Sequence, residues 1–439
     1  MLAYVFPPFY SEGGSIRVVK FIKYLPALGW LPMVLTIDDR SEYESMRRVG
    51  SEALLKDIPQ QVTIFRTASG ERSLESLGKE RDLGERNLLV GLILGVVSAA
   101  RRWAFRSLCL PDRYLTWMPF ALRRGRQIVE SEGADIIFAT CPPHSVALVG
   151  AILKRITGKP LVLDFRDDWI DTPRHRSKPR LVRWIEERME RWAVETCDRL
   201  LLVTEWSKNA FVNRYPGEAE EKFVFIPNGC DLEDFAEVRG TSEQPRVSEF
   251  TIVHAGQLSE AKIWRRNPEA FFLAVDHLRR KYPELANDLT VAFTSPLQEG
   301  YRRVVRDLDL SGVVKEVGHL PREKLVRFMK SADLLLAVNY DGFSTLIPGK
   351  IYEYWAVGGP PILLLSCQGA AQSLVEENHI GIVVQADDVE AIEGAVLHAY
   401  RQRKAGHPMR ISYVGVERYD RKILTERLAD TLRAVVDLK

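Results

Sequence analysis

The feature that most constrains this chain is a repeated alternation of short apolar runs with helical periodicity. In the first half the runs are Leu31–Ile37, Val62–Phe65, Ala134–Cys141, Pro160–Phe165, Arg199–Thr204 and Lys222–Ile226. A second set follows at Phe250–Gly256, Leu289–Phe293, Val313–Gly318, Ala332–Val338, Ile362–Ser366 and Gly381–Val384. Between them lie stretches whose apolar residues recur near 3.6, such as Trp184, Ile185, Met189, Trp192 and Ala193. Runs apolar on both faces, joined by helices, predict parallel sheets covered on both sides. The polar stretch 236–249 divides the two sets. The expected architecture is therefore α/β, with two doubly wound, Rossmann-like domains at 1–235 and 250–414 facing each other across a cleft.

Composition narrows the function classes. With 61 basic and 59 acidic residues among 439, nothing points to nucleic acid as a partner. The five cysteines are scattered and form no Cys-x-x-Cys pair, which fits a reducing, cytoplasmic setting and argues against a disulfide scaffold or zinc site. No signal peptide is expected at the N-terminus. The most apolar run, Leu88–Ala100, is shorter than the ~20 residues that span a bilayer. It runs on into Arg101, Arg102 and Arg106, so it reads as a packed helix or as one lying at a membrane surface.

Five stretches and one lone histidine carry candidate chemistry. Pro348–Pro361 reads as a loop, a short helix opening near Gly349–Lys350, and a glycine break before the strand at 362. Lys350 and Glu353 share a face at the helix start, where free N–H groups favour an anion. A phosphate-bearing sugar suits the pair; an i,i+3 ion pair is the simpler reading of these two residues alone. Phe250–Gly256 is a strand ending in glycine, followed by Lys262, Arg265 and Arg266 before a helix: a diphosphate site or merely a basic loop.

Gly13–Gly14 is a strand-to-helix turn that lets backbone approach a ligand, though a tight turn alone explains it. Pro160–Trp169 emits Asp164, Arg166, Asp167 and Asp168 at a strand's carboxyl end, where open sheets bind ligands. These carboxylates would orient an acceptor hydroxyl or take its proton, or else form a charged loop with an internal Arg–Asp pair. His144, near a helix start, is a second acceptor-side candidate. The cations Arg174, Arg176, Lys178, Arg180 and Arg183 precede the Trp-bearing helix and suit an anionic membrane surface, a lipid-pyrophosphate acceptor, or plain solvent.

In order along the chain, the glycine loop, Asp164-Phe-Arg-Asp167, Pro227-Asn-Gly-x-Asp231 with Phe235, and Lys350-x-Tyr-Glu-Tyr354 resemble glycosyltransferase family 4. The resemblance covers nearly the whole chain. It implies the GT-B fold, a final helix over 415–439 that returns to the first domain, and retaining transfer from a nucleotide sugar. It implies that Glu353 holds the donor ribose, that Arg266 (or Lys262) and Lys350 meet the diphosphate, and that Gly13 and Gly14 face the phosphates. Gly318 and His319 resemble the loop that cups the base. The chain departs from the family pattern in three places. Thr345 replaces the first Glu of E-x7-E, Gln257 replaces a basic residue, and Arg166 stands where many members carry histidine, leaving Asp167 as the acceptor-side group.

The expected function is metal-independent transfer from a UDP- or GDP-sugar to a glycan or polyprenyl-linked acceptor in bacterial polysaccharide or cell-envelope synthesis, with no cofactor. The setting is cytoplasmic, with 174–183 and 88–106 as contacts to the inner face of the membrane. Alternatives are a nucleotide-sugar epimerase or hydrolase on the same fold, and a catalytically silent scaffold that binds a membrane or partner.

Overall fold

The computed structural model describes residues 1–8, 14–38, 54–69, 110–236, 249–261 and 265–437. They form two compact units: Met1–Val203 with Lys208–Ile226 and Thr425–Lys439, and Thr204–Ser207 with Pro227–Leu424.

The first unit holds β1 (Met33–Ile37), β2 (Thr63–Thr67), β3 (Ile137–Cys141), β4 (Leu161–Phe165), β5 (Arg199–Leu202) and β6 (Phe223–Phe225). β1 pairs with β2, and β3 to β6 pair in order, all parallel. Near the N-terminus a single bridging residue, Leu2, joins both Leu35 and Ala139, tying the two groups into one sheet. The order β2-β1-Leu2-β3-β4-β5-β6 reverses direction beside Leu2, as in doubly wound sheets. Every residue of β3 and β4 is buried, because helices cover both faces. Gly150 lets the helix Ser145–Thr157 approach closely, since a Cβ there would meet Ala139 and Leu161 at 3.0 Å.

The second unit has β7 (Phe250–His254), β8 (Leu289–Phe293), β9 (Val314–Glu316), β10 (Leu334–Val338), β11 (Ile362–Leu365) and β12 (Gly381–Val384). They form one parallel sheet in the order β12-β11-β10-β7-β8-β9. The chain runs outward from β7 to β9, then returns to β10 on β7's other side. That reversal leaves a crevice outside the carboxyl ends of β7 and β10.

The boundary lies earlier than the sequence suggests. Residues 227–235, expected in the first domain, belong with the second unit. Cys230 exchanges backbone bonds with Tyr419 (3.0 Å) and Arg421 (2.8 Å). The Asn-Gly turn is obligatory here: Gly229 has φ +62°, and a Cβ would lie 2.1 Å from the Tyr419 carbonyl oxygen. The last helix is Arg421–Asp437, starting later than expected because a 3-10 turn, Val416–Tyr419, precedes it.

Candidate functional site

Chemistry in the second unit gathers at the β7–β10 crevice. The helix Gly349–Val357 is seated there by its tyrosines. The Tyr354 hydroxyl accepts from Ala255 N (2.8 Å) and donates to Leu336 O (3.2 Å), so one side chain joins the end of β7 to the middle of β10. Tyr352 packs on Tyr419, ring centroids 5.0 Å apart. Pro348 offers the helix no side-chain cap. Lys350 Nζ lies 2.9 Å from Nε2 of His254, the last residue of β7, and the ring's Nδ1 lies 2.9 Å from Leu336 O. His254 is fully buried. Burial, then the charges of Lys350 and Arg266, push its pKa well below the usual histidine value, so the ring is neutral.

Glu353 does not pair with Lys350. Its Oε2 accepts from Arg322 Nη1 at 3.2 Å, and the guanidinium lies 4.9 Å from the centre of the Phe235 ring. Arg322 also sits 3.8 Å from Asp234, so the Pro-Asn-Gly-x-Asp segment and the helix carrying Glu353 share one cation. The second oxygen of Glu353 has no hydrogen bond among the described residues.

Arg266 is buried rather than projecting from its loop. It stacks 4.1 Å over the Tyr340 ring, donates to the Tyr340 hydroxyl, and donates to Gln257 O at 3.0 Å, while its Nε finds no partner among the described residues. Tyr340 follows β10 by two residues, so Arg266 is held at the same crevice. Gly256, with φ +91°, leaves space beside Lys350, because a Cβ there would stand 3.5 Å from Nζ. Gly318 has φ +82° and His319 is exposed, both in the loop that ends at Arg322. Thr345 is buried, and its carbonyl accepts from Thr204 Oγ1 at 2.7 Å. Gly13 and Lys262 lie outside the described residues, and Gly14 is the first residue of the helix Gly14–Tyr24.

In the first unit, the carboxyl ends of β3 and β4 carry the acceptor-side candidates, and two need correcting. Asp164 is fully buried. It accepts from Arg17 Nη2 (2.9 Å) and Thr140 Oγ1 (2.8 Å), so it anchors the first helix and is withdrawn from any acceptor. His144 stacks flat on Trp169, centroids 4.9 Å apart and 3° between planes. Burial and the cations Arg174, Lys178 and Arg166 lower its pKa to about 3, too weak a base to take a hydroxyl proton near neutrality.

Among the described residues Arg166 forms no hydrogen-bonded pair with an aspartate. It donates to the carbonyls of Cys141 (3.1 Å) and Pro142, fixing the loop after β3. Asp167 is left without a hydrogen bond among the described residues, and burial raises its pKa to about 6 despite Arg166 nearby. That suits a proton acceptor working near pH 7. In the basic segment, Lys178 bonds to buried Glu186, and His175 is buried, so neither is offered to a surface.

A family model described as Glycosyltransferase Family 4 matches residues 12–234, and one described as Glycosyl transferases group 1 matches 249–402. The chain belongs to glycosyltransferase family 4. A D-inositol 3-phosphate glycosyltransferase of Corynebacterium kroppenstedtii is 24% identical over 213 residues, which span 45% of this chain and 45% of that protein. HepE from Anabaena, solved with UDP and glucose, aligns over 99% of this chain and 100% of its own at TM-score 0.61 and 16% identity. Sucrose-phosphate synthase from Thermosynechococcus elongatus aligns over 100% and 96% at TM-score 0.66 and 13% identity. These structural likenesses show the GT-B fold.

Within this family 4 chain, three site residues escaped the sequence reading. His254 sits in a plain apolar strand, and Arg322 opens a charged helix, so neither carried a signal. Asp112 did: it follows Pro111 in a turn signature. Its carboxylate accepts from Ser145 N (3.0 Å) and Tyr114 N (3.1 Å), capping the helix that His144 leaves uncapped.

Proposed function

We propose that this family 4 chain is a retaining, metal-independent glycosyltransferase that moves a hexosyl group from a UDP- or GDP-sugar to a glycan or polyprenyl-linked acceptor in bacterial polysaccharide or cell-envelope synthesis. The observation that carries this reading is the gathering of Lys350, Arg266 and an uncapped helix start around Gly256, at the reversal point of a doubly wound sheet. Such a site suits a diphosphate. HepE, which shares the fold, has been solved with UDP and with UDP-glucose.

In this reading Lys350 and Arg266 stabilise the charge that develops on the leaving diphosphate. The unbonded oxygen of Glu353 accepts from a ribose hydroxyl. Asp167, ionised above pH 6, orients the acceptor hydroxyl or takes its proton. Retention and the acceptor class follow the resemblance of the motifs.

The proposed setting is cytoplasmic, against the inner face of the membrane. Its support is Leu181 and Trp184, 67% and 53% exposed on the helix Arg180–Thr196. Arg180 and Arg188 are exposed on the same helix, and the Arg188 guanidinium lies 5.0 Å from the Trp184 ring centre. Among the described residues no helix is long and apolar enough to cross a membrane. The 88–106 contact lies outside the described residues.

Calorimetric titration with UDP and GDP, with and without a chelator, tests the donor reading. Saturable binding of one of them, indifferent to chelator and measurably weakened in Glu353→Ala, is expected. Binding of neither would overturn the reading.

A further inference from the structure

We infer that His254 is the positioning residue for Lys350: its ring holds the ammonium at the carboxyl end of β7, aimed at the place where a donor diphosphate binds. The inference rests on the donor reading above.

The geometry fixes the ring's roles. The Leu336 carbonyl can only accept, so Nδ1 carries the hydrogen of the 2.9 Å bond. Nε2 then presents a lone pair to the Lys350 ammonium, also at 2.9 Å. The carbonyl that holds the ring takes a second bond from Tyr354, on the helix that carries Lys350. Ring, strand and helix are thus tied through one oxygen, and the ring is wholly buried.

A free lysine side chain samples many rotamers, and ordering it weakens any ligand contact it makes. An ammonium has three hydrogens. One goes to His254, and Gly256 leaves space beside Nζ on a strand end. Lys350 therefore meets an anion already oriented. His254 acts through the Lys350 ammonium alone, so in this reading its contribution falls on the diphosphate.

Two substitutions separate positioning from packing. His254→Asn keeps a donor near the Nδ1 position for Leu336 and removes the acceptor for Lys350. His254→Gln places an amide oxygen near the Nε2 position and keeps that acceptor. Calorimetry of the full chain compares UDP with UMP, or GDP with GMP if that base is bound. The expected result is a loss of about tenfold in diphosphate affinity for His254→Asn, the scale of one charge-assisted hydrogen bond. Affinity for the monophosphate should change little, His254→Gln should recover most of the loss, and Lys350→Ala should match His254→Asn.

Wild-type affinity in His254→Asn, or equal losses for diphosphate and monophosphate, would overturn the inference while leaving the donor reading intact. A wild type that binds neither nucleotide overturns both. If His254→Asn does not fold, nitrogen NMR of the wild-type imidazole decides. A ring protonated on Nδ1 whose Nε2 signal shifts in Lys350→Ala supports the role; a ring protonated on Nε2 refutes it.

Discussion

Glu353 accepts a hydrogen bond from Arg322 at 3.2 Å and forms no ion pair with Lys350, three residues before it. The pairing orients the carboxylate, and stacking on Phe235 limits where the guanidinium can go. If Glu353 holds a ribose hydroxyl, Arg322 should matter through it. We expect Arg322→Ala to weaken UDP or GDP binding by about tenfold. The double variant with Glu353→Ala should bind no more weakly than Glu353→Ala alone, since residues acting as one unit are not additive. Additive losses in the calorimetric cycle would separate the two residues.

The Arg17–Asp164 pair is fully buried on both sides, and Arg17 also donates to Ile226 O at 2.9 Å. Removing one member leaves a buried charge uncompensated. Asp164→Ala should cost about 3–5 kcal/mol of stability in the first unit. Urea unfolding, followed by a probe in that unit, checks this. The second unit has its own core, so its nucleotide affinity should stay unchanged. A loss below ~1 kcal/mol would mean that water replaces the carboxylate.

Asp167 gives the pH dependence. Its folded pKa, about 6, is raised by burial above the ordinary aspartate value of 3.8. A raised pKa favours the protonated form in the fold, so the group's contribution to stability is full below 3.8 and lost as pH rises through 6. Asp167→Asn should therefore melt higher than wild type above pH 6, by roughly 2–4 °C if the gain is ~1 kcal/mol. The gain should shrink as pH falls toward 3.8. Transfer activity in the wild type should fall below about pH 6, with that limb missing from whatever activity Asp167→Asn retains. A melting gain independent of pH would contradict the assigned titration.

Much of this was legible in the chain because it depends on local pattern. Apolar runs such as Leu161–Leu163 can only be strands buried on both faces, and the Asn228–Gly229 turn is forced by a backbone clash. Lys350 was found because a helix start beside a glycine break is a sequence-local anion signal. Its partner was not. His254 lies 96 positions away and meets Lys350 only because β7 and β10 are neighbours. The same limit explains Asp164, whose partner Arg17 is 147 residues distant. A charged loop reads alike whether its carboxylate faces a substrate or an arginine.

The same distinction reshapes the membrane expectation for 174–183. Lys178 is tied to Glu186, whereas Arg174, Arg176, Arg180 and Arg188 are exposed in or beside the helix. Beside them, Leu181 and Trp184 lie three positions apart on one face and are the helix's most exposed apolar side chains. An interfacial helix needs this combination of apolar insertion and flanking charge. Each arginine near an anionic surface contributes about 1 kcal/mol, falling with salt. Sedimentation with phosphatidylserine-containing vesicles should show salt-sensitive binding, weakened about fivefold in Arg180→Ala and further in Arg180→Ala with Arg188→Ala. Leu181→Ser with Trp184→Ala should lower binding to the same vesicles while leaving UDP or GDP affinity at the wild-type value. Equal binding to neutral vesicles, or no change in either variant, would remove this helix from the membrane contact.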